Sequence, residues 1–218
     1  MFVGHFSWSQ SFSEIVSQSN RAGARPIDCG WSLRLSRSNG RKFRMDVVAH
    51  GLWGGALFCR RGRKQFFGGL IIGMTPDLLS FDVFHVMHPR WILLRLAGEI
   101  SGPPAFSILP AYVFYAYNLT HSLVVWAIAF SFLWLFIKRP PWLFGAWLLH
   151  ILCDIPTHAT SYFPTPFLWP FPTPFVNGIS WATPEFLVAN YSCLIVVYTG
   201  IFLYFRKKES MPRSQANS

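Results

Sequence analysis

WLFGAWLLHILCDIPTH, from Trp142 to His158, is the stretch on which the reading of this chain turns. It is an apolar run long enough to be mostly buried. Yet it carries His150 and Asp154 four residues apart, and His158 four residues further on. On a helix, positions i and i+4 share a face, so an imidazole and a carboxylate point the same way out of apolar surroundings. Ionisable groups in such surroundings are costly to bury and mark functional sites. The remainder of the chain is read for partners to them.

Composition sets the class. The chain has 218 residues, the size of one domain, with 52% hydrophobic and only 13% charged residues. That charged share is about half of what a soluble protein carries. With 10 Trp and 22 Phe, the expectation is an all-α, multi-pass helical membrane protein. The net charge is +10. Such an excess can serve nucleic acid, but in a membrane protein basic residues report topology, and no nucleic-acid partner is expected. The four cysteines show no CxxC or zinc-finger spacing. Cys153 and Cys193 lie in apolar runs and read as buried free thiols, so neither disulfides nor a redox role is inferred.

Upstream of the opening stretch, Pro140-Pro141 breaks the chain. Before the break, residues 123–137 (LVVWAIAFSFLWLFI) have Ser131 as their one polar residue and are followed by Lys138-Arg139, which reads as a span with Asn118 or Thr120 as its start cap. Further back, residues 45–59 and 66–81 form two short apolar helices around the basic turn 60–64, the second interrupted by Pro76 and Asp77. Gly51/Gly55 and Gly69/Gly73 are small-xxx-small pairs, which let helices pack closely. The expectation is a tight helical hairpin whose arms are each shorter than the ~20 residues of a standard span. Residues 82–119 read as an interfacial loop with amphipathic pieces.

Downstream, Pro156 should end the helix. Residues 156–185 are dense in Pro, Phe and Trp, which suits an outer loop at a membrane interface. Residues 186–205 are uncharged and end in Arg206, Lys207 and Lys208, the clearest span. Four to five apolar helices result, in a domain over 45–208 with a polar tail at 209–218. Residues 1–44 are rich in Ser and Arg and lack the apolar core of a secretory signal. They read as a disordered tail or as an over-extended frame before Met45; an organellar transit peptide is the other option.

Charge gives sidedness. The basic clusters at 60–64, 138–139 and 206–208 should share the cytoplasmic side. Four crossings, over 66–80, 120–137, 142–155 and 186–205, allow that and put the C-terminus in the cytoplasm. Asp77, His121, His150 and Asp154 then fall at the outer ends of their spans, and His50 joins them if its helix runs inward.

Taken singly, each of these residues has an ordinary structural reading: an interface histidine, a Pro-Asp turn, a Thr-His-Ser helix start. Together, His50, Asp77, His121, His150 and Asp154 form the mixed imidazole and carboxylate set that binds Zn²⁺, Mn²⁺ or Fe²⁺. The ion's charge offsets the burial of the acids. Zinc is the first expectation. His158 and Asp82 stand second, as an outer ligand or a general base; His85 and His88 read as loop residues. No GxSxG, P-loop or GxGxxG is present.

The series His50 with a Gly-rich helix, Gly73-Met74-Thr75-Pro76-Asp77, Thr120-His121-Ser122 and His150-xxx-Asp154 before an aromatic-proline loop resembles the bacterial inner-membrane metal-dependent hydrolases, a family first defined as a domain of unknown function. The likeness covers roughly residues 45–190. It implies a multi-pass helical membrane protein in the inner membrane with a divalent-metal site at His50, Asp77, His121, His150 and Asp154. Many members have a second acid just after Pro-Asp and an Arg near Thr-His-Ser. Here Leu78-Leu79 and Leu119 stand at those places, which leaves Asp82 as a displaced second acid. The resemblance implies a hydrolase; our own expectation for the reaction is hydrolysis of a lipid-like ester or phosphoester at the outer face, with Asp154 or Asp82 taking the proton. The alternative is a non-enzymatic membrane protein, a transporter or scaffold, in which the polar cluster is structural.

Overall fold

Glycine decides how close the first two helices come. A computed structural model of the protein describes residues 47–99, 104, 106–172, 174–181 and 183–210. Helix α1 (Val47–Phe58) and helix α2 (Arg63–Met87) are joined by one 3₁₀ turn, Cys59–Arg61, and by Gly62 at φ 106°, a backbone setting that a side chain resists. A Cβ on Gly69 would lie 2.5 Å from the Gly54 carbonyl oxygen, and one on Gly73 would lie 2.6 Å from that of His50. The two helices therefore touch backbone to backbone. The expected hairpin is present, with Gly54 rather than Gly55 opposite Gly69; Gly55 instead faces the Phe66 ring.

Helix α2, expected over 66–81 with an interruption at Pro76 and Asp77, is continuous there and longer. It runs on to Met87 through a π-helical turn at Leu78–Asp82. Proline removes one helical N–H and crowds the turn before it, at the Ile72 carbonyl, and the helix continues past it into the π turn. The Pro76 carbonyl is then satisfied from the side, by the Ser80 hydroxyl at 2.9 Å and the Thr120 hydroxyl at 3.2 Å. The segment expected as an interfacial loop over 82–119 is more regular than that. It contains the end of α2, helix α3 (Pro89–Leu96) and helix α4 (Ala111–Thr120).

Helix α4 and helix α5 (Leu123–Ile137) meet at a 63° bend. The start cap of α5 is Ser122, not Asn118 or Thr120: its Oγ accepts hydrogen bonds from the Val124 and Val125 amides at 3.1 and 3.3 Å. Helix α6 (Gly145–Thr157), led in by a 3₁₀ turn at Trp142–Phe144, carries Pro156 within its last turn. Helix α7 (Pro184–Ser210) closes the chain and takes in the first residues of the expected C-terminal tail. The expected tail at 1–44 and residues 211–218 lie outside the described residues. Among those described the fold is all helix, with no strand.

Two of these helices, α2 and α7, are long and apolar enough to cross a membrane, and a third crossing exists if the bent pair α4–α5 counts as one. The charge pattern led us to expect four. The difference is α6, whose apolar length of Trp142–Thr157 is short of a standard span. Helix α5 exposes Ile128, Phe132, Leu135 and Phe136, and α7 exposes Val188, Ile195, Val196 and Phe202. Only 6% of the most apolar window of α7 is buried in the protein. Apolar surface of this extent marks a membrane or partner contact. Cys193, expected to be buried, lies exposed on this helix, and Cys153 is partly buried.

The basic turn marks one end of the molecule. The Arg60 guanidinium lies 4.9 Å above the Tyr204 ring and donates to its hydroxyl at 3.2 Å, and Arg61 lies 5.9 Å from the Trp142 ring. The start of α2, the start of α6 and the end of α7 are thereby gathered at one level. The buried apolar cluster of Phe81, Phe84, Leu109, Val113, Tyr117 and Phe163 lies toward the other end, beyond Asp77 along α2.

Replacing Gly69 by Val should separate α1 from α2 and lower stability by about 1–3 kcal/mol, the usual penalty of overpacking. Gly200, where an added Cβ would meet nothing within 4 Å, is the control. Thermal unfolding in detergent should show a lower midpoint for Gly69→Val and an unchanged one for Gly200→Ala.

Candidate metal centre

Six side chains from four segments converge between α1, α2, the α4–α5 corner and α6. His50 lies in the first turn of α1. Asp77 directly precedes the π turn of α2. His121 occupies the corner, where Thr120 closes one helix by donating to the Ala116 carbonyl at 2.8 Å and Ser122 opens the next. The Thr-His-Ser run thus has a local logic: its outer members cap two helices and its middle member points inward. His150 and Asp154 share a face of α6, and His158 follows at its end.

Asp154 sits at the middle. It is 1% exposed, beside His121 at 0% and His150 at 1%. Its Oδ2 lies 3.2 Å from His121 Nε2 and 3.2 Å from His150 Nε2. Its Oδ1 lies 3.1 Å from His50 Nε2 and 3.6 Å from His158 Nε2. Asp77 Oδ1 approaches from α2, 3.5 Å from His121 Nε2 and 3.8 Å from His150 Nε2. Ligand atoms of His121, His150 and Asp154 fall within 4.8 Å of one another, and so do those of His50, Asp77 and His150.

The orientation of the imidazoles says what the cluster can hold. Three of them are pinned through Nδ1 to main-chain carbonyls: His150 to Gly73 at 2.7 Å, His121 to Tyr117 at 3.0 Å, His158 to Phe163 at 2.7 Å. A carbonyl only accepts, so Nδ1 carries the hydrogen, and in the neutral ring Nε2 presents a lone pair. The Nε2 atoms of His121 and His150 face each other at 3.1 Å. Both oxygens of Asp154 are buried, and their polar neighbours at 3.1–3.6 Å are imidazole nitrogens. Lone pairs thus converge on lone pairs around a buried carboxylate. A buried polar group without a partner costs free energy, a buried charge far more. A cation held between these atoms removes the conflict, and imidazole oriented by a carbonyl behind it is the usual support of a metal ligand. The residues fit a divalent metal, and the all N/O donor set suits Zn²⁺, Mn²⁺ or Fe²⁺.

All five residues expected as metal ligands are brought together. Asp82, the other candidate for proton transfer, is not in the cluster. Its carboxylate lies 3.6 Å from His85 Nδ1, with both side chains partly exposed. His88 stacks on Phe84 at 4.5 Å and donates from Nδ1 to the Phe84 carbonyl at 3.0 Å. His158, ranked second from sequence, also faces Asp154 Oδ1, at 3.6 Å against 3.1 Å for His50. The i+4 spacing from Asp154 was the signal for it. The carbonyls of Gly73, Tyr117 and Phe163 leave no trace in residue type, and sequence reading did not find them.

Aromatic residues wall the cluster. The Tyr117 ring stacks on His121 at 3.9 Å, and the Tyr117 hydroxyl donates to the Phe163 carbonyl at 3.0 Å. The proline-rich segment after α6 folds back on the helix end: the amides of Gly178, Ile179 and Trp181 donate to the carbonyls of His158, Pro156 and Thr157 at 2.9–3.0 Å. Its earlier part docks on the α4–α5 corner, where the Leu123 amide donates to the Phe167 carbonyl at 2.9 Å. Compared with protein-family models, with curated proteins and with solved structures, the chain matches none.

A metal bound here ties four segments together, so removing it should destabilise the fold. At about 1,000-fold excess over Kd a ligand adds about 4 kcal/mol. Chelation should lower the unfolding midpoint of the wild type, and zinc should restore it. The double variant His150→Ala/Asp154→Ala should retain no stoichiometric metal and show no response to chelator; retained metal in that variant would count against this centre.

Proposed function

We propose that this protein is a metal-dependent hydrolase of the bacterial inner membrane, acting at the outer-leaflet surface on a lipid-like ester or phosphoester. The observation that carries the reading is the buried Asp154 carboxylate, ringed by four imidazole nitrogens at 3.1–3.6 Å. The resemblance of His50, residues 73–77, residues 120–122 and His150-xxx-Asp154 to the inner-membrane hydrolases adds the reaction class.

Depth supports the sidedness. Ten residues separate His50 from Arg60, about 15 Å along a helix. By the positive-inside rule the basic end faces the cytoplasm, so the cluster lies toward the opposite face. The segment beyond it exposes Phe171, Phe175, Val176 and Ile179. Those side chains suit contact with acyl chains and admit an amphipathic substrate from the bilayer side.

The ion, when bound, supplies a water of lowered pKa and polarises the scissile group. The chain does the rest. His121, His150 and His158 hold their Nε2 atoms toward the centre through their Nδ1 bonds to carbonyls. Asp77 and Asp154 balance the cation's charge. Tyr117 and Phe163 close the inner wall against bulk water. Asp82 and His85 form a partly exposed acid–imidazole pair five and eight residues beyond Asp77 on α2, outside the ligand cluster, and are the candidate proton exit to solvent.

One observation favours a second reading, a structural ion in a non-enzymatic membrane protein. His121, His150 and Asp154 are fully enclosed, and His50 and His158 are the members with exposed side-chain surface, 16% and 9%. Access to substrate must therefore run past those two.

Purified protein, loaded with zinc in detergent, should hydrolyse members of a panel of lipid esters and phosphoesters. Chelation should abolish turnover and zinc restore it. Asp82→Asn should lower kcat by about 10²-fold, the usual contribution of a proton-transfer group, without loss of metal. Stoichiometric zinc with no turnover on any substrate would favour the structural reading.

A further inference from the structure

The two oxygens of Asp154 do not look at the same donors. Oδ2 faces His121 and His150, each at 3.2 Å, with Asp77 Oδ1 at 3.5 and 3.8 Å from those two nitrogens. Oδ1 faces His50 at 3.1 Å and His158 at 3.6 Å. Each arm of the carboxylate thus meets its own pair of imidazoles, with His50 also within 4.8 Å of Asp77 and His150. A single ion accepts four donors in a zinc-type site. Six residues aimed inward exceed what one such ion can use. The surplus imidazoles and acids beside it would be left with unpartnered lone pairs in a dry interior, which is costly.

We infer that the centre holds two cations, with Asp154 bridging them through its two oxygens. This rests on the metal-centre reading given above and extends it. The inner position takes Asp154 Oδ2, His121, His150 and Asp77. That is a closed four-donor set, made of side chains with almost no exposure. The outer position takes Asp154 Oδ1, His50 and His158, a three-donor set that leaves a place for water or substrate. Closed sets are the mark of a structural ion and three-donor sets of a catalytic one. The exposure agrees at His50, whose side chain at 16% is the most exposed of the cluster.

The support behind each donor agrees too. His158 could have turned away at the end of α6. Instead its Nδ1 is fixed by the Phe163 carbonyl at 2.7 Å, with the Tyr117 hydroxyl 3.1 Å away. Tyr117 also supplies the carbonyl that holds His121. One residue therefore orients a donor of each position, and the segment after α6 is folded back so that its own carbonyl does so. Holding an imidazole this firmly has no purpose for an ion that is already fully served by His121, His150, Asp77 and Asp154. Two cations bridged by a carboxylate also have the spacing used to grip both oxygens of an in-line displacement.

Metal content of the full chain in detergent tests this directly. After loading with zinc and desalting, elemental analysis should give two ions per chain for the wild type. His50→Ala/His158→Ala should keep one, and His121→Ala/His150→Ala should lose the inner ion. Manganese-loaded wild type should show the exchange-coupled paramagnetic resonance of a paired centre, and His50→Ala/His158→Ala the signal of an isolated ion. His158→Gln, which keeps volume, guards against a folding defect and should also lose coupling. One ion in the wild type, unchanged in His50→Ala/His158→Ala, overturns the pair and leaves the single-metal reading intact. No bound ion in the wild type overturns both. Two ions and retained coupling in His50→Ala/His158→Ala overturn the assignment of the outer position.

Discussion

A carboxylate surrounded by lone pairs cannot be left as it stands. Asp154 lies at the centre of the fold with four imidazole nitrogens around it, three of them oriented so that the neutral ring offers no hydrogen. Much of the remaining structure exists to hold that arrangement. The glycines of α1 and α2 bring His50 down to the level of His150, whose ring lies 3.9 Å away. The π turn directly after Asp77 widens α2 at the level of the cluster, and the bend at residues 120–122 turns His121 inward. Each is a local departure from regular helix, and each supplies one donor. Departures that agree in this way indicate selection for the site rather than for packing alone.

The same departures explain a thin apolar core. The buried cluster around Phe81, Tyr117 and Phe163 lies to one side of the polar centre, while α5 and α7 turn most of their apolar surface outward. In water such a protein would have little to hold it together. In a bilayer, helix association depends on close packing and on buried polar contacts. Both are present at the α1–α2 contact and at the Asp154 cluster. Side-chain bonds between helices add to this, with Trp53 Nε1 donating to Asn190 at 2.9 Å, Trp147 Nε1 to the Thr120 carbonyl at 2.6 Å, and the Tyr198 hydroxyl to the Leu52 carbonyl at 2.8 Å.

The site was more legible in the sequence than the helices were. His150 and Asp154 stand out because i+4 spacing in an apolar run admits few other readings, and charge clusters bring His50, Asp77 and His121 to their depth. The helices were harder. Proline reads as an interruption or a stop, yet Pro76 and Pro156 both lie inside helices, the second within a last turn. Residues 82–119 read as loop because their polar residues mask α3 and α4. Ser122 was passed over as a cap since Asn118 and Thr120 are equally good capping types, and only the bend decides among them. His158 was underrated for lying past Pro156, where a helix was expected to have ended.

Three of the imidazoles are aimed by main-chain oxygens, those of Gly73, Tyr117 and Phe163. Substitution changes side chains and leaves such atoms in place. A mutational scan of this protein would therefore credit the ligands themselves and register Gly73 only as a position intolerant of bulk. The groups that fix each ring's tautomer would go unscored, and they can vary in identity among related chains while the oxygen stays where it is. Residue identity is thus a poor record of how this centre is tuned; the path of the backbone carries that information instead.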